Sequence, residues 1–147
     1  MDDRVLLLEN QLCFPLYAAA KEVVARYKPL LDGLGLTYTQ YIVLMALWEH
    51  KGLTVSQLGT RLYLDSGTLT PLLKRLAEKG LIYRERSTQD ERQVLVTLTQ
   101  AGEALKGKAI DIPRKISRCL NLDDEEAAAL YRLLYKVLAP GVCDSRA

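Results

Sequence analysis

The sequence predicts a mainly helical fold with a minor β component: a winged helix-turn-helix flanked by long helices at both ends. Three successive features of residues 53–102 predict it, namely a short capped helix, a second amphipathic helix, and two strand-like segments joined by a polar tip. Two short helices followed by a charged hairpin are the arrangement of a DNA-reading module. The chain is therefore expected to present one helix and one hairpin to a double helix.

Each of the two short helices has a start signal. Thr54-Val55-Ser56-Gln57 has the spacing of a capping box, and the helix that it begins should end at about Leu62. Asp65-Ser66 caps a second helix, predicted over Gly67–Lys79, and Gly80 stops it. One face of this second helix is apolar and consists of Leu69, Leu72, Leu73 and Leu76. The opposite side is left to hydroxyl and basic groups.

The excess positive charge of the chain lies in the second helix and the hairpin. Two strand-like segments, Leu81–Arg86 and Arg92–Leu98, are joined by the polar tip 87–91. The net charge is only +2, which argues against indiscriminate binding of polyanions. Between residues 74 and 92, however, six basic residues stand against four acidic ones and account for the whole excess. Such a run can be a solvated face, but its position on the two reading elements favours DNA binding.

Long apolar helices are predicted at both ends of the chain. Residues 5–31 carry apolar side chains near helical spacing, and residues 99–120 and 123–138 form two more helices. Asn121-Leu122-Asp123-Asp124 supplies the break and the cap between those two, and Pro113 bends or interrupts the first. These helices could form an intramolecular core. Because a small domain cannot cover so much apolar helix, we expect a homodimer with its recognition helices roughly 34 Å apart on a pseudo-palindromic site.

Length and composition indicate a single domain over residues 1–147. Of these residues, 49% are hydrophobic, which is enough for the domain to form a hydrophobic core by itself. We divide the domain into a DNA-binding lobe over 37–100 and dimerisation helices over 4–34 and 101–140. No apolar run approaches the roughly 20 residues that span a bilayer. Asp2 and Asp3 carry the wrong charge for a secretory signal peptide.

The three cysteines, at positions 13, 119 and 143, fit neither a disulfide scaffold nor a zinc site. We therefore expect a cytoplasmic protein in a reducing compartment, without a metal ion or a cofactor. A cysteine matters in that setting through the chemistry of its thiolate.

The chain resembles the MarR family of dimeric winged-helix regulators nearly from end to end. The segments that carry the resemblance are Asp65-Ser66-Gly67-Thr68-Leu69-Thr70-Pro71, Leu76-Ala77-Glu78-Lys79-Gly80-Leu81-Ile82, and Asp90-Glu91-Arg92 with Leu98-Thr99. A second set is similar to the organic-hydroperoxide-sensing repressors (OhrR) within that family. It consists of Glu9-Asn10-Gln11-Leu12-Cys13-Phe14 with Tyr17, Tyr27 and Tyr38, of Tyr27-Lys28-Pro29-Leu30-Leu31, of Leu47-Trp48-Glu49-His50, and of Asp111-Ile112-Pro113.

Cys13 is the candidate sensor. A peroxide sensor needs a thiolate that attacks the peroxide and becomes a sulfenic acid. A free thiol has a pKa of about 8.5, so the surroundings have to stabilise the anion. Pro15 is tolerated only in the first turn of a helix, so the helix should begin near Gln11 or Leu12. Cys13 would then lie at the positive end of the helix dipole. The alternative is that Cys13 is simply a small buried hydrophobic residue.

Tyrosine hydroxyls are the candidate partners of the thiolate, since they can donate a hydrogen bond to it from an otherwise apolar pocket. The resemblance implies that Tyr27 and Tyr38 do so across the dimer interface, and Tyr17 is a third candidate. The alternative is that these tyrosines belong to the core. Four others are assigned to core or interface: Tyr63, Tyr83, Tyr131 and Tyr135. His50 is interpreted as a C-terminal helix residue that complements the dipole.

A second cysteine distinguishes two branches of the sensors that the chain resembles. In one branch a small thiol or further oxidation consumes the sulfenic acid, and in the other a second protein cysteine closes an intersubunit disulfide. Cys119 approximately matches the resolving position, so we favour the two-cysteine branch. Cys119 could instead be a buried structural residue, and Cys143 could compete as the resolving thiol. A disulfide requires Cα atoms within about 7 Å, so a larger separation would demand helix movement.

The same resemblance implies the DNA contacts. Ser66, Thr68 and Thr70 face the major groove, while Lys74 and Arg75 bind phosphates or base edges. In the hairpin, Arg92 enters the minor groove and is held by Asp90, and Arg84 and Arg86 contact phosphates.

The predicted function is that of a repressor, not an enzyme, which releases its operator when organic hydroperoxides oxidise Cys13. The alternative is a MarR-type repressor that a non-covalent small molecule releases, with Cys13 uninvolved. A thiol peroxidase would also use a reactive cysteine, but the sequence has no recycling CxxC motif and the DNA module would be idle.

Overall fold

A computed structural model describes residues 3–139 of the chain and confirms the predicted fold class. Two compact units are present, one extending to Ile112 and the other beginning at Pro113. The first opens with two short 3-10 helices, Asp3–Leu6 and Leu8–Asn10. Its further elements are α1 (Cys13–Asp32), α2 (Tyr38–Glu49), β1 (Leu53–Thr54), α3 (Val55–Leu62), α4 (Ser66–Glu78), β2 (Ile82–Arg86), β3 (Val94–Leu98) and α5 (Gln100–Ala109). Helix α6 (Ile112–Cys119) begins at the boundary, and α7 (Asp124–Leu138) lies in the second unit.

Local capping chemistry explains why most helices begin where predicted. The Thr54 hydroxyl accepts from the Gln57 amide, and the Gln57 side chain accepts from the Thr54 N–H, so the predicted capping box at α3 is confirmed. Asp65 caps α4 by accepting from the Thr68 N–H. Asp123 forms a further capping box at the start of α7. These bonds satisfy amide groups that have no partner within their own helix.

The N-terminal helix is shorter than the predicted 5–31. The side-chain amide of Gln11 donates to the Val5 carbonyl at 2.6 Å, and that of Asn10 donates to the Arg4 carbonyl at 2.7 Å. Side-chain bonds of this kind compete with a continuing helix and favour short turns. Helix α1 therefore begins at Cys13. The expectation from Pro15, a start near residue 12, is confirmed.

The predicted helix over 99–120 is two helices. α5 ends at Ala109 and α6 begins at Ile112, one residue before Pro113. The ring of a proline fits the first turn of a helix, where its missing N–H is not needed. The predicted interruption at Pro113 is thus confirmed, and it falls at the start of a new helix.

The sheet contains three antiparallel strands in the order β1-β3-β2. Strand β2 pairs with β3 in the register Ile82↔Leu98 to Arg86↔Val94. The two-residue strand β1, which the sequence analysis missed, pairs with the other side of β3 through Leu53↔Val96. The hairpin is therefore fastened to the beginning of α3 as well as to the end of α4.

The core lies between α2 and the helix-turn-helix. Helix α2, another element for which no bounds were predicted, begins with a capping box of Thr37 and Gln40. The most deeply buried side chains come from α2, α3, α4 and β3, with one from α1: Leu31, Tyr41, Val43, Leu44, Leu47, Leu58, Leu69, Leu73, Leu76 and Val96. The apolar face predicted for the second short helix is confirmed, since its leucines enter this core.

The start of α5 is fastened to the junction between α4 and β2. The Thr99 hydroxyl donates to the Gly80 carbonyl at 2.6 Å, and the Thr99 N–H donates to the Leu81 carbonyl at 3.1 Å. Gly102 lies so close that a Cβ on it would overlap the Leu81 carbonyl oxygen. The Gly102 carbonyl in turn accepts from the Trp48 indole at 3.0 Å. The absence of a side chain at Gly102 is therefore a requirement of this junction.

Replacing Gly102 by alanine is expected to lower the free energy of unfolding by about 2 kcal/mol or more, because backbone would have to move. The matched control is Gly107→Ala in the same helix, where a Cβ would meet nothing within 4 Å. This control should gain up to about 1 kcal/mol, the helix propensity difference. Urea unfolding of both variants measures the contrast, and equal stabilities would contradict the close approach at Gly102.

Candidate redox site and nucleic-acid interface

Cys13 is the first residue of α1 and is exposed in the single chain. The N-cap residue Leu12 provides no side-chain hydrogen bond to the helix. The amide groups of the first turn thus give this end its partial positive charge. Exposed apolar side chains surround the position in sequence, with Leu12 at 83% and Phe14 at 43% exposure. The position of Cys13 agrees with the dipole expectation. Cys13 is not buried in the single chain, and the alternative of a small buried hydrophobic residue stays open for an assembly of chains.

Tyr27 and Tyr38 lie together, with ring centroids 4.8 Å apart. Tyr27 is in α1 and Tyr38 is the first residue of α2, so the α1–α2 turn brings them together. Tyr41, which was not predicted, adds a third ring with its centroid 5.9 Å from that of Tyr27. The ring centroids of Tyr41 and Trp48 are 6.2 Å apart in an edge-to-face arrangement. The signal that could have found Tyr41 is its spacing of three residues from Tyr38 on one helix.

Burial raises the pKa values of the hydroxyl groups in this cluster. It raises the pKa of Tyr27 to about 12, with further contributions from Tyr38 and Tyr41. Burial also raises the pKa of Tyr38 and, together with the neighbouring Tyr38, that of Tyr41. A tyrosine with a raised pKa retains its O–H at neutral pH and can donate a hydrogen bond.

A single chain does not bring Cys13 to these tyrosines. Tyr27 follows Cys13 by 14 residues in the same helix, a rise of about 21 Å. Tyr17 is one turn from Cys13 and is exposed, with the Lys21 ammonium 5.3 Å from its ring centroid. Of the three predicted tyrosines, Tyr17 is thus the one that lies near Cys13 within a chain.

Cys119 is the last residue of α6, and its side chain is exposed. Its Sγ donates to the Lys115 carbonyl at 3.2 Å. The alternative, a structural cysteine buried in a dimer helix, concerns a pair of chains and stays a prediction. Cys143 lies outside the described residues.

The predicted reading residues of α4 are exposed. Ser66, Thr68 and Thr70 lie in its first two turns and are exposed, beside the buried face that the leucines form. Thr68 also donates its hydroxyl to Asp65 at 3.1 Å. The bond from the Thr68 backbone N–H first, and this hydroxyl bond second, hold the pKa of the Asp65 carboxyl below its usual range. Lys74, one turn from Thr70, is 4.0 Å from Glu78. The first half of α4 therefore presents hydroxyl groups and the second half basic groups.

In the hairpin, the basic residues Arg84, Arg86 and Arg92 are exposed. Arg84 and Arg86 are two residues apart on β2 and share one face of the sheet. Asp90 accepts from the backbone N–H of Arg92 at 3.0 Å and from the Gln93 amide at 3.3 Å. Asp90 therefore shapes the turn through a hydrogen bond from the backbone N–H of Arg92.

Lys79 is one of the six basic residues between positions 74 and 92, but its side chain forms hydrogen bonds to other parts of the same chain. Its ammonium group donates to the Gly35 carbonyl and, at 3.2 Å, to Gln40 Oε1. Sequence reasoning could not assign this role, since both acceptors lie about 40 residues away.

Several assignments to the core are wrong. The four remaining tyrosines are all more than half exposed in the chain: Tyr63, Tyr83, Tyr131 and Tyr135. Tyr63 follows α3 as its C-cap in the left-handed conformation. The rings of Tyr131 and Tyr135 pack against each other at a tilt, with centroids 4.7 Å apart. The interface alternative for these residues stays a prediction. His50 follows the last residue of α2, as predicted, with its Nε2 3.5 Å from Glu49.

Within residues 3–139, no group of three or more His, Cys, Asp or Glu side chains is placed to hold a metal ion. No helix in the same range is long and apolar enough to cross a membrane.

Comparison with known proteins gives a consistent family. Residues 25–109 match the transcriptional regulator SarA/Rot family. The chain is 54% identical over 131 residues to the organic hydroperoxide resistance transcriptional regulator of Bacillus subtilis, covering 89% of each chain. Reduced AbfR bound to DNA, a protein of Staphylococcus epidermidis, is 37% identical with a TM-score of 0.77, covering 93% of this chain and 96% of that one. Disulfide-formed AbfR is 36% identical with a TM-score of 0.66, covering 94% and 97%.

The raised pKa of Tyr27 makes stability depend on alkaline pH. The pKa is about 12 in the folded chain and about 10 in the unfolded chain, so the folded state holds the proton more tightly. The resulting stabilisation is complete below pH 10 and is lost as the pH rises through 12. Urea unfolding of wild type and Tyr27→Phe between pH 9 and 12 should show a steeper decline for wild type. Parallel declines would contradict the assignment.

Proposed function

Because the chain belongs to the SarA/Rot family of MarR-like winged-helix transcriptional regulators, we propose that it is a repressor that senses organic hydroperoxides through Cys13. One observation carries the proposal: the helix that begins with the exposed Cys13 also carries Tyr27 in its second half, where Tyr27 packs on Tyr38 of α2. The 54% identity to an organic hydroperoxide resistance regulator supports the choice of oxidant. Reduced protein binds double-stranded operator DNA, and oxidised protein releases it.

The site is completed by a second copy of the chain. If two α1 helices pack antiparallel around a two-fold axis near Ala20, Cys13 lies beside Tyr27 of the partner subunit, since Ala20 is midway between the two positions. The small side chains Ala19 and Ala20 are exposed there and would let the helices approach closely. Tyr38 packs on Tyr27 and would reach the same thiolate. Each dimer would then contain two such sites.

Uncovered apolar helix supports the homodimer. The apolar residues of α7 are exposed, with Leu133 at 48% and Val137 at 67%, and no residue of this helix is buried. Leu12, Leu16 and Tyr17 of the N-terminal segment are exposed as well. A second copy can cover such stripes in an isologous interface.

The chemistry at Cys13 is a two-electron oxidation. The thiolate attacks the terminal oxygen of the hydroperoxide, the O–O bond breaks, and the alkoxide leaves and takes up a proton to become an alcohol. The cysteine is now a sulfenic acid. The Cys119 thiol of the partner subunit then attacks the sulfenic sulfur, which forms a disulfide and releases water. AbfR, solved in both a reduced DNA-bound form and a disulfide form, supports this two-cysteine route.

DNA binding uses α4 and the hairpin. The hydroxyl groups of Ser66, Thr68 and Thr70 contact the major groove, with Lys74 and Arg75 on phosphates or base edges. Arg92, oriented by the Asp90 turn, enters the minor groove, while Arg84 and Arg86 contact phosphates. Two copies bind half-sites roughly 34 Å apart, so a rotation of the readers away from that spacing releases the operator.

A pocket next to the tyrosines favours one alternative, release by a non-covalent ligand. It has a volume of about 320 Å³ and is lined by residues that include Val24, Leu36 and Tyr38. A small apolar molecule could bind there and displace Tyr38 without any change at Cys13. Replacement of Cys13 separates this alternative from the redox mechanism.

Treatment of reduced protein with one equivalent of an organic hydroperoxide should abolish operator binding and produce a covalent dimer on non-reducing electrophoresis. Cys13→Ser should bind the operator before and after treatment, because it has no thiolate to oxidise. Cys119→Ser should form no covalent dimer. If oxidised wild type still binds its operator, the redox mechanism is wrong. Loss of binding without a dimer would exclude Cys119 as the resolving residue.

Arg92→Ala should weaken operator binding with a change in its salt dependence. If Arg92 contacts DNA phosphates in the minor groove, its loss lowers the slope of log K against log salt concentration by about 1. Lys106→Ala, an exposed basic residue of α5 outside the reading elements, is the matched control and should leave the slope unchanged. Fluorescence anisotropy at four salt concentrations measures both. An identical slope in Arg92→Ala and wild type would remove Arg92 from the interface.

A further inference from the structure

Lys79 connects the recognition helix to the turn that holds the tyrosines. It immediately follows α4, and its ammonium group donates to the Gly35 carbonyl and to Gln40 Oε1. Gly35 lies in the segment that joins α1 to α2, and Gln40 lies in the first turn of α2. The bonds therefore tie the C-terminal end of the DNA-reading helix to the start of α2.

The acceptor Gln40 is itself part of a fixed structure. It is only 4% exposed, and its Oε1 also accepts from the Thr37 N–H at 3.1 Å in the capping box of α2. Tyr38, which packs on Tyr27, is the first residue of the turn that this box closes. A displacement of Tyr38 that shifts its backbone would move the first turn of α2, and with it the oxygen that accepts from Lys79.

On its other side, Lys79 leads directly into the junction with the hairpin. The next two carbonyls, of Gly80 and Leu81, accept from the hydroxyl and the N–H of Thr99. The hairpin begins at Ile82. Both reading elements, the end of α4 and the beginning of the hairpin, thus meet within three residues of Lys79.

We propose that Lys79 is a positioning residue that couples the tyrosine pair to the recognition helix. In the reduced protein its two bonds hold the end of α4 in the DNA-binding orientation. A shift of Tyr38 upon oxidation of the partner's Cys13 moves Gln40 and weakens that hold. This inference rests on the proposed function and assigns to it the contact through which the redox state reaches the DNA.

The test compares operator dissociation constants of reduced and peroxide-treated protein, with the thermal midpoint of each variant measured in parallel. Lys79→Met should raise the dissociation constant of the reduced form and leave that of the oxidised form unchanged. The ratio of the oxidised to the reduced constant should therefore fall by about two- to thirtyfold. Lys79→Arg can still donate to both acceptors and should restore most of the ratio. Gln40→Met should lower it, and the double variant should lower it no further than Lys79→Met. Lys106→Met is the matched control with an unchanged ratio.

If Lys79 has a structural role only, Lys79→Met raises both dissociation constants by the same factor, so their ratio equals that of wild type. An unchanged ratio overturns the inference about Lys79, while the proposed function stands. If wild type itself shows no loss of affinity on oxidation, both proposals fail. If Lys79→Met does not fold, Gln40→Met decides, and an unchanged ratio in that variant overturns the coupling.

Discussion

The arrangement of the first unit depends on two hydrogen bonds of the Thr99 hydroxyl group. This group donates to the Gly80 carbonyl at 2.6 Å and accepts from the Gly102 N–H at 3.1 Å, so one buried oxygen joins the end of α4 to the start of α5. A hydroxyl can do both because it carries one donor and two acceptor sites. The hairpin emerges between these two helices. Its direction relative to α4 is thus set by this capped junction together with the pairing of β1 with β3.

The candidate redox site follows from a second constraint, the rigidity of α1. One helix carries a cysteine at its positive end and a tyrosine about 21 Å further on, and burial raises the pKa of that tyrosine. A thiolate needs a donor, and the tyrosine pair offers two. The same spacing that separates these groups within a chain would join them in an antiparallel pair of chains. Sensing and dimer formation would then depend on the same surface.

The sequence was most informative where the determining chemistry is local. The caps at Thr54, Asp65 and Asp123 each act over three residues, and Pro15 fixes the start of α1 by its missing N–H. The tyrosine pair could be named by resemblance, although its packing depends on a turn between two helices. Periodicity, by contrast, extended the first helix too far, because it does not detect the side-chain bonds of Asn10 and Gln11 that close the preceding turns.

Non-local contacts account for most of what was missed. The bond from Trp48 to Gly102 joins residues 54 apart, and the bond from Lys79 to Gly35 joins residues 44 apart. No local pattern distinguishes Lys79 from a solvated lysine. Burial of the four outer tyrosines was overestimated for a related reason: an aromatic residue at helical spacing indicates an apolar face, but not whether the same chain covers it.

The regular rise and turn of α1 also limit which changes of sequence length this helix can accept. One inserted or deleted residue between positions 13 and 27 would turn every later side chain by about 100° and shift it by about 1.5 Å along the helix. A dimer built on antiparallel α1 helices would suffer that displacement at both of its sites. The hairpin tip at 87–91 has no comparable restriction. Changes of length should therefore accumulate in that tip, while α1 accepts replacements of residues without a change in their number.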